Sequence, residues 1–128
     1  MKSSYAAPVD DFLTAIEDAA VTRCDAWAND CLLDATVPNR RFRRRGADEI
    51  RAVYAEWFAH PNTLVGVRRW PIPEGEIIEY VHRFTGPEGP REAHHLHVLE
   101  VADGRIVADT VFCGGQWSDA QRAEMDGA

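Results

Sequence analysis

No stretch of this 128-residue chain approaches the roughly 20 apolar residues of a membrane span. Residues 1–11 contain no apolar run of the kind that drives secretion, so a cytoplasmic protein is expected. Cysteine is scarce. Cys24, Cys31 and Cys113 are an odd number, and no two of them stand in a C-x-x-C pattern. That argues against a thiolate zinc site and a disulfide framework, and it suits a reducing compartment. Positive charge is also in deficit: 14 Lys and Arg face 21 Asp and Glu, a formal net charge of -7. An extended nucleic-acid surface is therefore not expected. The chain has no Gly-rich phosphate loop, no P-loop and no nucleophile elbow. Internal repeats and low-complexity linkers are absent too. Residues 1–128 thus read as one domain, long enough to bury its own core over about 9–117. Residues 1–8 and 118–128 read as mobile tails or short terminal helices.

What the chain does have is a change of hydrophobic period. Over residues 9–27, Phe12, Leu13, Ile16, Ala20, Cys24 and Trp27 recur at helical spacing, with Pro8, Asp10 and Asp11 at a favourable start. A bend near residues 22–25 is expected there. Residues 31–38 (C-L-L-D-A-T-V-P) predict a short strand ended by proline. After Gly46, the residues Ile50, Val53, Tyr54, Trp57 and Phe58 form an amphipathic stripe, with Asp48 and Glu49 in the first turn. His60-Pro61-Asn62 stops that helix. From residue 63 to 113 the pattern is strands, broken at P-I-P-E-G, T-G-P-E-G-P and A-D-G. Helices, a strand, a helix and then a long antiparallel meander make the class α+β. The basic run at residues 40–45 (R-R-F-R-R-R) reads as a solvated edge strand, where charge deters pairing.

Four of the five histidines lie in this strand region. Alternation puts Ile78, Tyr80, His82 and Phe84 on one face of the run E-I-I-E-Y-V-H-R-F, opposite the half-charged face of Ile77, Glu79, Val81 and Arg83. In E-A-H-H-L-H-V-L-E-V, Ala93, His95, His97, Leu99 and Val101 share a face. Titratable groups therefore stand among apolar neighbours, where an unpaired polar group is costly. They either satisfy one another as core or line a pocket. Asp109, in R-I-V-A-D-T-V-F-C, joins the face of His95 and His97 only if the A-D-G hairpin carries one extra residue. A plain two-residue turn would set Asp109 beside Val98 and Glu100. Trp27, Tyr54, Trp57 and Phe58 read as core and inner pocket wall. Cys113 reads as a small apolar residue near the pocket mouth. The pair His95-x-His97, with His82 as a third ligand and Asp109 nearby, also permits a metal reading. We expect no metal and no organic cofactor.

The order of elements, together with L-L-D-A-T-V-P-N, R-G-A-D-E-I-R-A-V-Y and H-V-L-E-V-A-D-G-R-I-V-A-D, resembles the nuclear transport factor 2-like superfamily. Within it the resemblance is to the SnoaL-like branch of ketosteroid isomerase, limonene epoxide hydrolase and polyketide cyclase, over about residues 9–117. The resemblance implies a cone: a curved antiparallel sheet wrapped around N-terminal helices and one central helix, enclosing a deep pocket. It also implies a homodimer. The family strand matching Tyr80-Val81-His82 often reads Arg-Val-Asp, with both polar residues facing the pocket. The epoxide hydrolase's other catalytic aspartate falls at Val111. The proton-abstracting aspartate of ketosteroid isomerase falls at Asn39, which cannot take a proton but can orient a carbonyl or a water. Neither chemistry carries over intact.

The expected function is a cofactor-independent acid–base enzyme (isomerase, cyclase, dehydratase or hydrolase) on a mostly apolar small molecule. His82 and Asp109 are the expected proton-transfer partners, with Tyr80 assisting as a hydrogen-bond donor. Asn39, His95, His97, Trp57, Val111 and Trp27 are the expected substrate-binding residues. The rival reading is a noncatalytic binding or accessory protein with the same pocket.

Overall fold

The computed structural model describes residues 6–127. Residues 1–5 and Ala128 lie outside the described residues; of the rest of the expected tails, residues 6–8 open the first helix and residues 119–126 form a short terminal helix. Helix α1 (Ala6–Glu17) leads through a short 3-10 turn (Val21–Arg23) into β1 (Trp27–Val37), β2 (Arg40–Arg45) and helix α2 (Ala47–Trp57). Four long strands follow: β3 (Thr63–Ile72), β4 (Gly75–Gly86), β5 (Gly89–Ala102) and β6 (Arg105–Ser118). Helix α3 (Asp119–Asp126) closes the described chain. Ser118 caps α3 through a reciprocal bond with Gln121.

The first helix is shorter than its hydrophobic period suggests. Ala19 adopts a left-handed backbone (φ 52°), which ends α1 and turns the chain at residue 18 rather than at 22–25. Trp27 consequently opens β1 instead of closing a helix. The strand of residues 31–38 is the second half of this longer β1.

The six strands form one curved, unclosed sheet in the order β2-β1-β6-β5-β4-β3. The meander from β3 to β6 is antiparallel, but β1 lies parallel to β6. The wholly antiparallel expectation is corrected at that one seam. β1 and β6 meet only after α2 and the whole meander intervene, and parallel neighbours need a long connection. The arginine-rich β2 is an edge strand, with Arg41 clamped on Asp34 of β1.

Helix α2 lies across the concave face. Tyr54 reaches Asp109 on β6, Trp57 meets His95 on β5, and Phe58 meets His82 on β4. Ile50, Tyr54 and Phe58 are fully buried, while Val53 and Trp57 are partly so. Phe12 and Ile16 of α1 complete the core against Trp27, Leu33, Ile78, Leu99 and Ile106. Arg69 on β3 pairs with Glu76 of β4 and Asp10 of α1, tying the helix to the far edge of the sheet.

Two irregularities set which side chains face inward. The β5–β6 hairpin turns on Asp103 (φ 53°) and Gly104 (φ 78°), both left-handed as a two-residue hairpin turn requires. Val101 pairs with Ile106 and Glu100 with Ala108, so Val107 is an extra, bulged residue. The bulge puts Asp109 opposite Leu99 and Val111 opposite His97, all on the concave face. A second shift, between Ala93 and His95, places His95 opposite Cys113.

Gly75, at the start of β4, is held against β5. A Cβ there would stand 2.0 Å from the carbonyl oxygen of Leu99. Because that neighbour is backbone, Gly75→Ala is expected to cost about 1–3 kcal/mol of stability, the usual penalty of overpacking. Urea denaturation checks this; an unchanged midpoint would contradict the packing described.

Candidate functional site

The concave face carries two separate hydrogen-bonded groups, one sealed and one at the edge of a recess. The sealed group is a chain of four side chains. Tyr54 donates its hydroxyl to Asp109 Oδ2 at 2.7 Å, and His97 Nδ1 meets Asp109 Oδ1 at 2.9 Å. Tyr80 Oη meets His97 Nε2 at 2.8 Å. All four side chains are fully buried. With Asp109 as acceptor, one proton arrangement satisfies every bond: His97 gives Nδ1–H to Asp109 and receives Tyr80 O–H at Nε2. Burial first, and Asp109 second, hold both tyrosine hydroxyls well above their ordinary pKa of 10, so they remain donors at neutral pH.

The second group is built on His82 and His95, whose ring centroids are 4.8 Å apart. His82 Nδ1 lies 2.7 Å from Asn62 Oδ1. The Asn62 amide nitrogen donates to the carbonyls of Ile16 (3.2 Å) and His60 (2.6 Å). Carbonyls only accept, so the amide cannot be flipped, and its oxygen must receive a proton from His82. His82 therefore carries N–H at Nδ1 and a lone pair at Nε2. Phe84 stacks on this ring and Phe58 meets it edge-on, fixing its plane. His95 differs from every other histidine in the chain. It is 3% exposed, and both its ring nitrogens lack a hydrogen-bond partner.

His82 and His95 line a recess of about 240 Å³ together with Val37, Trp57, Ala93, Cys113 and Gln116. Cys113 accepts a hydrogen bond from the Gly115 amide at 3.4 Å, and burial nonetheless raises its thiol pKa. Burial lowers the His82 pKa to about 4. It also holds the His95 pKa well below its ordinary value, with the neighbouring His82 and His97 adding to the effect. Both rings are neutral at pH 7.

This has a consequence for acid stability. An unfolded histidine binds its proton near pH 6.5, whereas folded His82 does so only near 4. Between those values the unfolded chain is the better proton binder, so acid favours unfolding. The loss begins below about 6.5 and levels off near 4. From pH 7 to pH 5, His82 alone is expected to remove about 2 kcal/mol, and His95 acts in the same direction. Urea midpoints across that range test this. A flat profile, or one unaltered in His82→Phe, would contradict the buried neutral imidazole.

Set against the sequence-based expectations, His82, His95 and Trp57 meet at the recess. Tyr80, His97 and Asp109 share the concave face but lie beneath it, in packed core. Asp109 is held by His97 and Tyr54, and His82 by Asn62, so these two residues belong to different groups. Val111 is buried opposite His97. Trp27 is buried between Phe12 and Tyr54, and its indole nitrogen has no partner. Asn39 is exposed on the β1–β2 turn (φ 63°) and does not line the recess. A two-residue hairpin turn needs a left-handed residue there, a role asparagine fills well. Tyr54, Asn62 and Gln116 were not singled out as site residues. Only Tyr54 carried a sequence signal, its place on the α2 stripe. Among the described residues, no three His, Cys, Asp or Glu side chains are grouped so as to hold a metal ion.

No protein-family model and no curated protein matches this chain. Solved structures do. An LEH-like epoxide hydrolase from M. tuberculosis superposes with a TM-score of 0.65 at 18% identity, over 86% of this chain and 81% of that one. AusH from Aspergillus nidulans gives 0.74 at 11% identity, over 94% and 90%. An NTF2-like protein of unknown function from Mesorhizobium loti gives 0.64 at 18% identity, over 88% and 92%. At such identities the likeness is one of fold. The chain has the NTF2-like α+β fold, in keeping with the resemblance carried by its sequence motifs.

Proposed function

We propose that this chain is a cofactor-independent acid–base enzyme acting on a small, mostly apolar molecule held in the His82–His95 recess. The observation that carries this reading is His95. Two buried ring nitrogens without partners cost about 1–3 kcal/mol each. Unpaired polar groups of this kind cluster where a ligand completes them. His82 adds an imidazole of fixed tautomer whose available lone pair can accept a proton, a base that burial keeps weak, with a pKa of about 4. Tyr54, Asp109, His97 and Tyr80 serve as the rigid floor that holds β4, β5 and β6 in register beneath the recess. Isomerase, cyclase, dehydratase and hydrolase chemistry all fit such a base. The similar fold of an epoxide hydrolase supports the enzyme class without selecting the reaction.

The test is depletion of small neutral carbonyl, epoxide and hydroxy compounds from a defined mixture by purified protein, with His82→Ala in parallel. Loss of one compound with wild type alone supports the proposal. Retention of every compound, with one of them bound in the recess, would favour the noncatalytic binding reading.

The convex face of the sheet is proposed as a homodimer surface. Leu96 and Val98 lie there, and Phe112, paired with Leu96, is 48% exposed. Sedimentation at micromolar concentration should give about twice 14.3 kDa. A monomer would remove this claim and leave the recess untouched.

A further inference from the structure

We propose that the recess selects an uncharged molecule of about one ring in size that presents a hydroxyl group to His82 and His95. The inference rests on the ligand-binding reading of the recess and goes beyond it to the ligand's charge and functional group.

Charge is excluded by the lining. None of the seven residues around the recess is Asp, Glu, Lys or Arg. Its two imidazoles are held neutral by burial. A carboxylate or phosphate would give up its hydration without meeting a cation, and an ammonium would do so without meeting an anion.

The hydroxyl follows from the proton inventory. His82 spends its only N–H on Asn62, whose own amide hydrogens are committed to Ile16 and His60. What His82 offers a ligand is a lone pair, which requires a donor. His95 is neutral, so one of its nitrogens carries N–H and the other a lone pair, and neither is matched within the protein. The ring centroids are 4.8 Å apart, so one small group can lie against both rings. A group that donates to His82 and accepts from the His95 N–H satisfies one nitrogen on each ring. A hydroxyl oxygen does both at once. An ether or ketone oxygen only accepts, and an amide N–H only donates. The apolar remainder of the ligand would lie against Trp57, Val37 and Ala93. A volume of about 240 Å³ falls below the roughly 300–1,000 Å³ of drug-sized sites, which points to one ring rather than a fused ring system.

The test compares phenol, anisole and benzoate as probes of the wild-type protein at pH 7, following imidazole and backbone nitrogen resonances. Phenol both donates and accepts, anisole only accepts, and benzoate is charged. Phenol is expected to shift the His82 and His95 signals and to bind roughly tenfold more tightly than anisole, the scale of one hydrogen bond. Benzoate is expected to leave both signals unmoved. In His95→Phe the preference for phenol over anisole should shrink. Equal binding of phenol and anisole, or tighter binding of benzoate at the same two histidines, would overturn the hydroxyl-selective site and leave the recess as a ligand site of another specificity. Phenol that leaves both histidines unmoved would overturn the proposal together with the ligand-binding reading beneath it.

Discussion

Asp109→Ala is expected to lower the unfolding free energy by about 3–5 kcal/mol, a large share of what a domain of this size possesses. The reason is what the substitution strands. Tyr54 O–H and His97 Nδ1–H both end on this carboxylate, and all three side chains are fully buried. Removing the carboxylate leaves two donors without water or partner, on top of the lost packing. Asp109→Asn keeps the volume and one acceptor oxygen, but turns an amide N–H₂ toward one of the donors. It should cost less, about 1–3 kcal/mol. Urea denaturation at pH 7 separates the two variants. An alanine variant within about 0.5 kcal/mol of wild type, the range of ordinary surface changes, would show that the network does not support the core as described.

His82→Ala is expected to behave in the opposite way, with its main effect on chemistry. His82 lines the recess and carries a lone pair on Nε2 because Asn62 fixes its tautomer. Losing a positioned general base lowers turnover by about 10²-fold or more. Asn62→Asp keeps an acceptor facing Nδ1 but sets its second oxygen against the Ile16 and His60 carbonyls, so it is expected to lower stability as well as turnover. A stopped or slowed reaction with substrate still bound identifies His82 as the base. Loss of binding at unchanged turnover per bound molecule would assign it to ligand affinity alone. Asp109 provides the contrast: any loss of activity on its replacement should follow the loss of stability, because it does not line the recess.

Much of the fold was legible because its signals are local. The α2 stripe, the strand breaks at turn-forming residues and the basic edge strand all follow from period and turn chemistry. The parallel seam between β1 and β6 was not legible, since nothing in either segment encodes a partner more than 60 residues away. Strand alternation also grouped Tyr80 with His82 and His95 with His97 on faces that read as buried, and all four side chains are buried. It did not divide them into a sealed network and an open recess. That division comes from α2. Tyr54 hydrogen-bonds Asp109 and packs over His97, while Trp57 meets His95 only ring to ring, at 5.6 Å, and leaves its nitrogens unpaired. The inward turn of Asp109 hung on a single bulged residue, Val107, and no residue type there announces a bulge. Asn62 was read only as part of a helix stop. Its hold on His82 is a contact across 20 residues that spacing does not reveal.

The imidazole nitrogen spectrum of the wild-type protein, recorded from pH 8 to pH 5, tests the central claim most directly. The account requires His82 to be neutral across this range, with its proton on Nδ1 and a bare Nε2, and His95 to be neutral as well. Addition of a recess ligand should then move the Nε2 resonance of His82 more than its Nδ1. A His82 signal that titrates near pH 6.5, or that carries its proton on Nε2, would contradict the fixed lone pair on which the proposed base and the proposed ligand both depend.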